Sequence, residues 1–498
     1  MNVNPITRLD YPDPDVIRVE DTYYMVSTTM HFMPGCEILQ SFDLVHWEHV
    51  TYVYETLDHT DAQQLKSGQN IYGQGMWAAS LRYHEGRFCI CFVANDTRKT
   101  YLYTSEKIDG PWKKQLIEGF YHDGSLLFDE DGRNYIVYGN DEIWITELNE
   151  DLTAPKKDGL HRLLVSDHKN PKLGYEGSHI QKINGYYYIF LIHSLRDRWM
   201  RTEACFYSDS LEGEFTGGDV LCDDRGYCGQ GVAQGGIVDT PDGKWYAMLF
   251  QDSGAVGRIP ILVPVTWKDH FPFFGQNGHV PEEIEVHSTR PGYIYQPLVG
   301  SDDFCNGLLP RWQFNHDPDP RYYHLDALQG TYTITTREVC TELTQAVNTL
   351  TQRMSYPSCA AEVTVDASAL KEGDVAGLCA LQSCYAAVGI TKHHGKYEVL
   401  MLDKKEDGIL DMTEGTVVES HQMDFRLEAD FCNMKDEARC YYRVNKGDWL
   451  PIGTVHKLYF KLDHFTGCRF GLFCYAAEET GGSACFRDFK YYDVDEIS

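Results

Sequence analysis

A two-residue corner built on Asp, Glu or Asn recurs five times in the first half of the chain, and four of the five corners carry a glycine. The corners are Glu20-Asp21, Glu85-Gly86, Asp131-Gly132, Asn184-Gly185 and Asp242-Gly243. Each leads into an aromatic-rich run: TYYMVST, RFCICFV, RNYIVYG, YYYIFLI and KWYAMLF. Asn-Gly and Asp-Gly between alternating runs are strong hairpin signals. The corners recur at roughly 45 to 65 residues, about one four-stranded propeller blade. No long amphipathic helical pattern separates them. A sandwich would space its strands more closely and evenly. The expectation is an all-β chain that opens with a five-bladed β-propeller over residues 1–297. The "DEDG" at 129–132 resembles the start of a calcium loop. It lacks the closing Glu and runs into a strand, so it reads as a turn.

The copies also align ahead of their corners. Counting back about nine residues from the second corner residue (eight in the first copy) gives Asp13, Trp77, Asp123, Glu176 and Gln234. Equivalent positions of successive blades form one ring around a propeller axis. Three carboxylates, a tryptophan and an amide would therefore share one funnel. In "YPDPDV" the prolines stiffen the loop that aims the first acid. Crowded, partly buried carboxylates titrate apart, one ionised and one protonated. Opposed acids beside a flat aromatic face suit the cleavage of a glycosidic bond. Singly, each acid has a plainer reading as a turn cap or solvated side chain. Their coincidence at equivalent positions favours a site.

Charge narrows the partners. With 44 basic against 74 acidic residues the formal net charge is -30. Such a field repels nucleic acid and anionic membrane surfaces but not a neutral sugar. A 43% hydrophobic and 13% aromatic composition is enough for a full core, which excludes disorder. No apolar run reaches the ~18 residues of a bilayer span. The start, MNVNPITRLD, has no basic n-region or apolar h-region of a signal peptide. The 16 cysteines are scattered without CxxC or zinc spacing, and read as reduced, mostly buried thiols. The expected compartment is the cytoplasm.

The stretches YPDPDVIRVEDTYYMVSTT, PGCEILQSFDLVHWE, GMWAASLRYHEGRF, HDGSLLFDEDGRNYIV, YEGSHIQKINGYYY and GGIVDTPDGKWYAMLFQDSGAVGRIPILVPVTWKDHFPFFG together resemble glycoside hydrolase family 43, the five-bladed β-xylosidases and α-L-arabinofuranosidases. The resemblance covers most of residues 4–275 in order. It implies Asp13 as general base, Glu176 as general acid, and Asp123 as the helper that orients the acid and tunes its proton affinity. It implies Arg258, in "AVGRIP", as a sugar contact, and Phe32, before "MPG", as lining for the terminal-sugar pocket. The family inverts the anomeric centre, which calls for base and acid roughly 6.5 to 9.5 Å apart. Two positions depart from the family. Gln234 stands where a histidine associated with an axial metal is common; no cofactor is required, and a structural calcium through the amide oxygen and waters stays open. "TTMHFMPG" replaces the commoner "SSFEWFPG", which implies a reshaped pocket. His31 and His179 could touch substrate, although packing or hydrogen bonding is their plainer role.

From "YIYQPLVGSDDF" the repeat stops. Short alternating runs then continue to the end, among them GTYTITT, CAAEVTV, AGLCAL, AAVGIT, YEVLML and RFGLFCYA, and read as a β-sandwich over 298–498. "VNTLTQRM" and "GDVAGLCALQ" resemble the concanavalin-like sandwich of many family-43 xylosidases, which packs beside the active-site mouth. No Ser/Pro linker separates the halves, so a packed role is expected rather than a tethered binding module.

The expected function is an inverting, exo-acting hydrolase in xylan degradation, releasing terminal xylose, arabinofuranose or both from small oligosaccharides. The alternatives are an endo-arabinanase, which needs an open groove, and a sugar-binding propeller without catalysis. Homo-oligomers are left open.

Overall fold

The computed structural model describes residues 3–493. Among them there are strands and short 3-10 turns but no α-helix. Five four-stranded antiparallel sheets come first, each a meander in chain order. The first contains Asp15–Val19, Thr22–Val26, Gly35–Ser41 and Glu48–Tyr54; the fifth contains Ile237–Asp239, Trp245–Asp252, Arg258–Lys268 and Phe271–Phe274. These are the blades of a propeller. No helix of the described residues is long and apolar enough to cross a membrane.

The corners divide into two kinds. Val19 pairs with Thr22, His84 with Arg87 and Ile183 with Tyr186, so those three are two-residue turns. Asn184 (φ 51°) and Gly185 (φ 85°) both take left-handed backbone, which matches the twist of the flanking strands. In the third and fifth copies the last pairs are Phe128 with Asn134 and Asp239 with Trp245, so the loops hold five residues, not two. There only the glycine, Gly132 or Gly243 (φ 81° each), turns left-handed while its acidic neighbour does not. "DEDG" is indeed a turn: Asp129 accepts hydrogen bonds from Lys182 Nζ at 2.6 Å and Tyr187 Oη at 2.5 Å.

The second half is two stacked sheets. One runs Tyr323–Asp326, Thr331–Thr335, Ser483–Asp493, Ser358–Asp366, Gln422–Asp430, Glu437–Arg443, Leu450–Lys457. Along Gln422–Asp430, Phe425 and Leu427 point inward while Asp424, Arg426 and Glu428 alternate outward. They join Val363, Val365, Leu378, Phe470, Leu472 and Phe486 in the sandwich core.

The two halves share structure. Phe32–Met33, from the first blade's loop, pairs with Gln313–Asn315 and so becomes an edge strand of the other sandwich sheet. Ala255, Val256 and Ile259 of the fifth blade lie in the same core cluster as Trp312 and Leu350. Asp10 is the polar tie: its carboxylate accepts the N–H of Arg258 at 2.8 Å and of Gly467, in the sandwich, at 2.7 Å. Arg353 of the sandwich pairs with buried Glu37 of the first blade at 2.8 Å. A buried ion pair and a continuous apolar seam hold one arrangement, as expected of a packed second domain.

Candidate active site

The ring positions sit where each blade's innermost strand begins. Asp13 (φ 52°), Asp123 (φ 47°) and Gln234 (φ 63°) take left-handed backbone just ahead of their strands. In the other two blades the strand is already paired, and a register shift follows the ring residue: between Trp77 and Ser80, and between Glu176 and His179. The positive-φ residue there comes one later, at Ala78 (φ 29°) and Gly177 (φ 64°). Bulges and left-handed residues of this kind re-aim single side chains, and they gather at functional sites.

The three aspartates around the opening prolines do three different jobs. Asp10 ties the domains, as above. Asp15 is a lock on the propeller axis. It pairs with Arg82 at 2.8 Å, accepts the Leu81 N–H at 2.7 Å and contacts His179 Nδ1 at 3.1 Å. Burial works against its charge, but Arg82 and His179 hold its proton affinity below the usual carboxylate range. Asp13 faces the site. Arg258 Nη1 donates to its Oδ1 at 2.9 Å and Thr28 Oγ1 to its Oδ2 at 2.6 Å. Thr28 in turn accepts the Ala78 N–H at 2.8 Å, which fixes the hydroxyl's direction. Both carboxylate oxygens are thus engaged, one by a guanidinium and one by a hydroxyl.

Asp123 is buried on the third blade and accepts the Gly177 N–H at 2.9 Å. It thereby holds the peptide next to Glu176. Burial, with Glu176 and Asp13 nearby, pushes its carboxyl up to about 6 despite the opposing His122. Glu176 is more open, with 22% of its side chain exposed, so it can reach a ligand. Asn140 Nδ2 donates to its Oε2 at 2.8 Å.

Between the two acids lies His122, whose Nε2 is 3.6 Å from Asp123 Oδ2 and 3.6 Å from Glu176 Oε2. Burial disfavours its charge, but the carboxylates of Asp123 and Glu176 outweigh that and raise it to about 9. One donor atom from each of these three residues lies within 4.8 Å of the other two, so the imidazole and the two carboxylates form one compact polar cluster. The axis beside Gln234 fits calcium poorly. Its carboxylate, Asp15, is already neutralised by Arg82, whose charge would oppose a metal. Gln234 packs on Gly177, whose Cβ position would lie 2.7 Å from its Cγ. No step is derived through a metal.

Trp77 is half-buried, with its ring 6.1 Å from His122 and 5.4 Å from Phe465. Phe465 belongs to the sandwich and stands 4.2 Å from the Arg258 guanidinium. Arg258 is 2% exposed, and its Nη2 also reaches the Phe465 carbonyl at 3.4 Å. The structure places Phe32 elsewhere than an open pocket wall: 1% exposed, under the Arg469 guanidinium at 3.4 Å, in a cluster with Leu343 and Tyr385. His31 is equally buried; it packs tilted against His316 and edge-on against Tyr72. Asp13, Asp123, Glu176, Trp77 and Arg258 thus line one linked set of contacts, joined by His122, Asn140, Thr28 and Phe465. Sequence reasoning missed those four. His122 and Asn140 had a signal, since each sits at the axial end of a blade strand; Phe465 had none, because nothing in its local pattern shows that it crosses to the propeller.

The sequence pattern of glycosyl hydrolases family 43 matches residues 3–272. The chain belongs to this family. A second pattern, the β-xylosidase C-terminal concanavalin A-like domain, matches residues 301–492. This glycoside hydrolase is 26% identical to a β-xylosidase of Formosa agariphila, over 99% of this chain and 89% of that one. It is 24% identical to a non-reducing end α-L-arabinofuranosidase of Bacteroides ovatus, over 82% of this chain and 79% of that one. Among solved structures, a bifunctional GH43-CE protein of Bacteroides eggerthii superposes with a TM-score of 0.92 at 42% identity over 98% of this chain. The chain spans 63% of the length of that protein.

Proposed function

We propose that the enzyme is an inverting, exo-acting glycosidase that removes terminal xylose or arabinofuranose from short hemicellulose-derived oligosaccharides. Asp13, fixed by Arg258 and Thr28, takes the proton of a water that attacks the anomeric carbon. Glu176 gives its proton to the departing oxygen, and Asp123 orients it through the Gly177 peptide. The observation that carries this reading is the pairing of an Asp13 fixed by Arg258 and Thr28 with a more open Glu176 around one axial funnel. Action at chain ends is supported by Phe465, which stands against Arg258 and Trp77 where an endo-acting enzyme needs an open groove. The xylose and arabinofuranose readings draw support from the β-xylosidase and arabinofuranosidase names of the relatives. A cytoplasmic setting is supported by sixteen cysteines that are all free thiols, most of them buried.

Hydrolysis of nitrophenyl xyloside, nitrophenyl arabinofuranoside and xylobiose by the wild type, Asp13→Asn and Glu176→Ala tests it. The wild type should turn over at least one of these, and Asp13→Asn should be slower on each by about 10²–10⁴. Glu176→Ala should lose xylobiose while keeping part of its rate on the nitrophenyl glycosides, whose leaving groups need no proton. Full activity of Glu176→Ala on xylobiose, or no turnover by the wild type, would overturn the reading; the second result would indicate a sugar-binding propeller.

A further inference from the structure

His122 is accounted for by neither the base nor the acid. It directly precedes Asp123, and its Nε2 is buried with no hydrogen-bond partner of ordinary length. That nitrogen stands equidistant, at 3.6 Å, from one oxygen of Asp123 and one of Glu176. Those two oxygens are also the ones held from elsewhere. Asp123 Oδ2 accepts the Gly177 N–H at 2.9 Å, and Glu176 Oε2 accepts Asn140 Nδ2 at 2.8 Å. A single N–H is thus poised between two acceptors, each already anchored on its far side.

The charges facing it are few. Asp123 and Glu176 are nearest, and Asp13 acts from further off. Arg258 is committed to Asp13. Arg201, half-buried on the fourth blade, is committed to Asp252, and it feels Glu176 and Asp13 as well. His122 is therefore the positive group closest to the acid and its helper.

We infer that His122 is a positioning residue of this glycosidase: its imidazole bridges Asp123 to Glu176, fixes the acid's carboxyl group and sets the pH range over which that acid keeps its proton. The inference rests on the reading of Glu176 as general acid. The sign follows from electrostatics. A neighbouring positive charge favours the ionised carboxylate, so removing it makes Glu176 hold its proton to higher pH. The limb of the rate profile that falls as pH rises, where a general acid is lost, should then move upward.

The test is the pH dependence of kcat/KM for the wild type and His122→Asn, on xylobiose and on the nitrophenyl glycoside that the wild type cleaves. Asn keeps a donor near the bridge but carries no charge. The expected result is a basic limb displaced upward by about one pH unit. The rate at the optimum should fall roughly tenfold on xylobiose and much less on the nitrophenyl glycoside. A merely structural histidine would lower both substrates alike and leave the limb in place, and that result would overturn the inference. Histidine-selective 15N NMR of the wild type decides it without any variant, should His122→Asn fold poorly. The ring assigned to His122 should stay doubly protonated to about pH 9, whereas titration of that ring below pH 7.5 would overturn the inference. If Glu176→Ala itself keeps full activity on xylobiose, the acid assignment fails and the bridge falls with it. If Glu176→Ala is inactive there and His122→Asn behaves as wild type in both respects, only the bridge fails.

Discussion

Phe465 of the sandwich lies 4.2 Å from the guanidinium of Arg258, which itself donates to Asp13 at 2.9 Å. The second domain is therefore two contacts away from the proposed base. A ring over an arginine both shields the ion pair from water and narrows the space above it.

Phe465→Ala should consequently weaken substrate binding more than the chemical step. A half-buried aromatic contact with a guanidinium contributes about 1–2 kcal/mol, so KM on xylobiose should rise roughly tenfold with kcat changed much less. Steady-state kinetics on purified variant and wild type check this. An unchanged KM would mean that the sandwich closes the fold without shaping the pocket.

Asp13→Asn keeps shape and hydrogen-bonding reach but removes the negative charge that Arg258 and Thr28 address. Loss of a general base costs about 10²–10⁴ in rate, and kcat/KM should fall by that order on every substrate, activated leaving groups included. That distinguishes it from Glu176→Ala. A variant that kept more than a tenth of the wild-type rate on a nitrophenyl glycoside would exclude Asp13 as base.

These sites were legible to different degrees, for physical reasons. The blades were readable because each hairpin is local: its turn and its alternation lie within about twenty residues of sequence. The ring of Asp13, Trp77, Asp123, Glu176 and Gln234 followed, since a repeat places equivalent residues at equivalent radii. Individual roles did not follow. Asp10, Asp13 and Asp15 look alike in "LDYPDPDV", and only the positions of Gly467, Arg258 and Arg82, all distant in sequence, separate them. Phe32 shows the same limit. The family resemblance implies pocket lining, yet its strand pairs with Gln313–Asn315 and its ring lies under Arg469. Long-range pairing of that kind leaves no periodic trace.

Asp436 offers a test of the domain seam. It accepts the Ala255 N–H at 3.0 Å, joining the sandwich to the fifth blade, and burial pushes its carboxyl up to about 6. Because the folded state holds this proton more tightly than the unfolded chain, stability carried by Asp436 is full below about pH 4 and declines as pH rises to 6. With allowance for partial solvent screening, ionisation costs about 1–2 kcal/mol at neutral pH. Asp436→Asn keeps the acceptor and avoids that cost. Urea unfolding should show the variant more stable than wild type by about 1 kcal/mol at pH 7 and equal to it at pH 4. A less stable variant at pH 7 would show that the charge itself is used.

Three histidines at the same seam carry the opposite sign. His31 of the propeller lies 4.8 Å from His316 and 5.6 Å from His464, both of the sandwich, and Tyr72 stacks on His464 at 3.9 Å. All are buried, and burial holds each below the ordinary histidine range, His464 at about 3. Asp463 favours the charged form of His464, but Lys404 opposes it, and Arg469 opposes charge on His31. The folded state thus binds fewer protons than the unfolded chain, so stability is full above about pH 6.5 and is lost as pH falls below it. Each neutral ring costs about 2 kcal/mol of stability by pH 5. His316→Gln leaves an oxygen to accept the Ile71 N–H that His316 Nε2 now takes at 3.0 Å. Unfolding free energies measured from pH 7 to pH 5 should fall less steeply for the variant, by about one proton. Parallel slopes for variant and wild type would mean that the histidine cluster does not couple acid to the separation of the two domains.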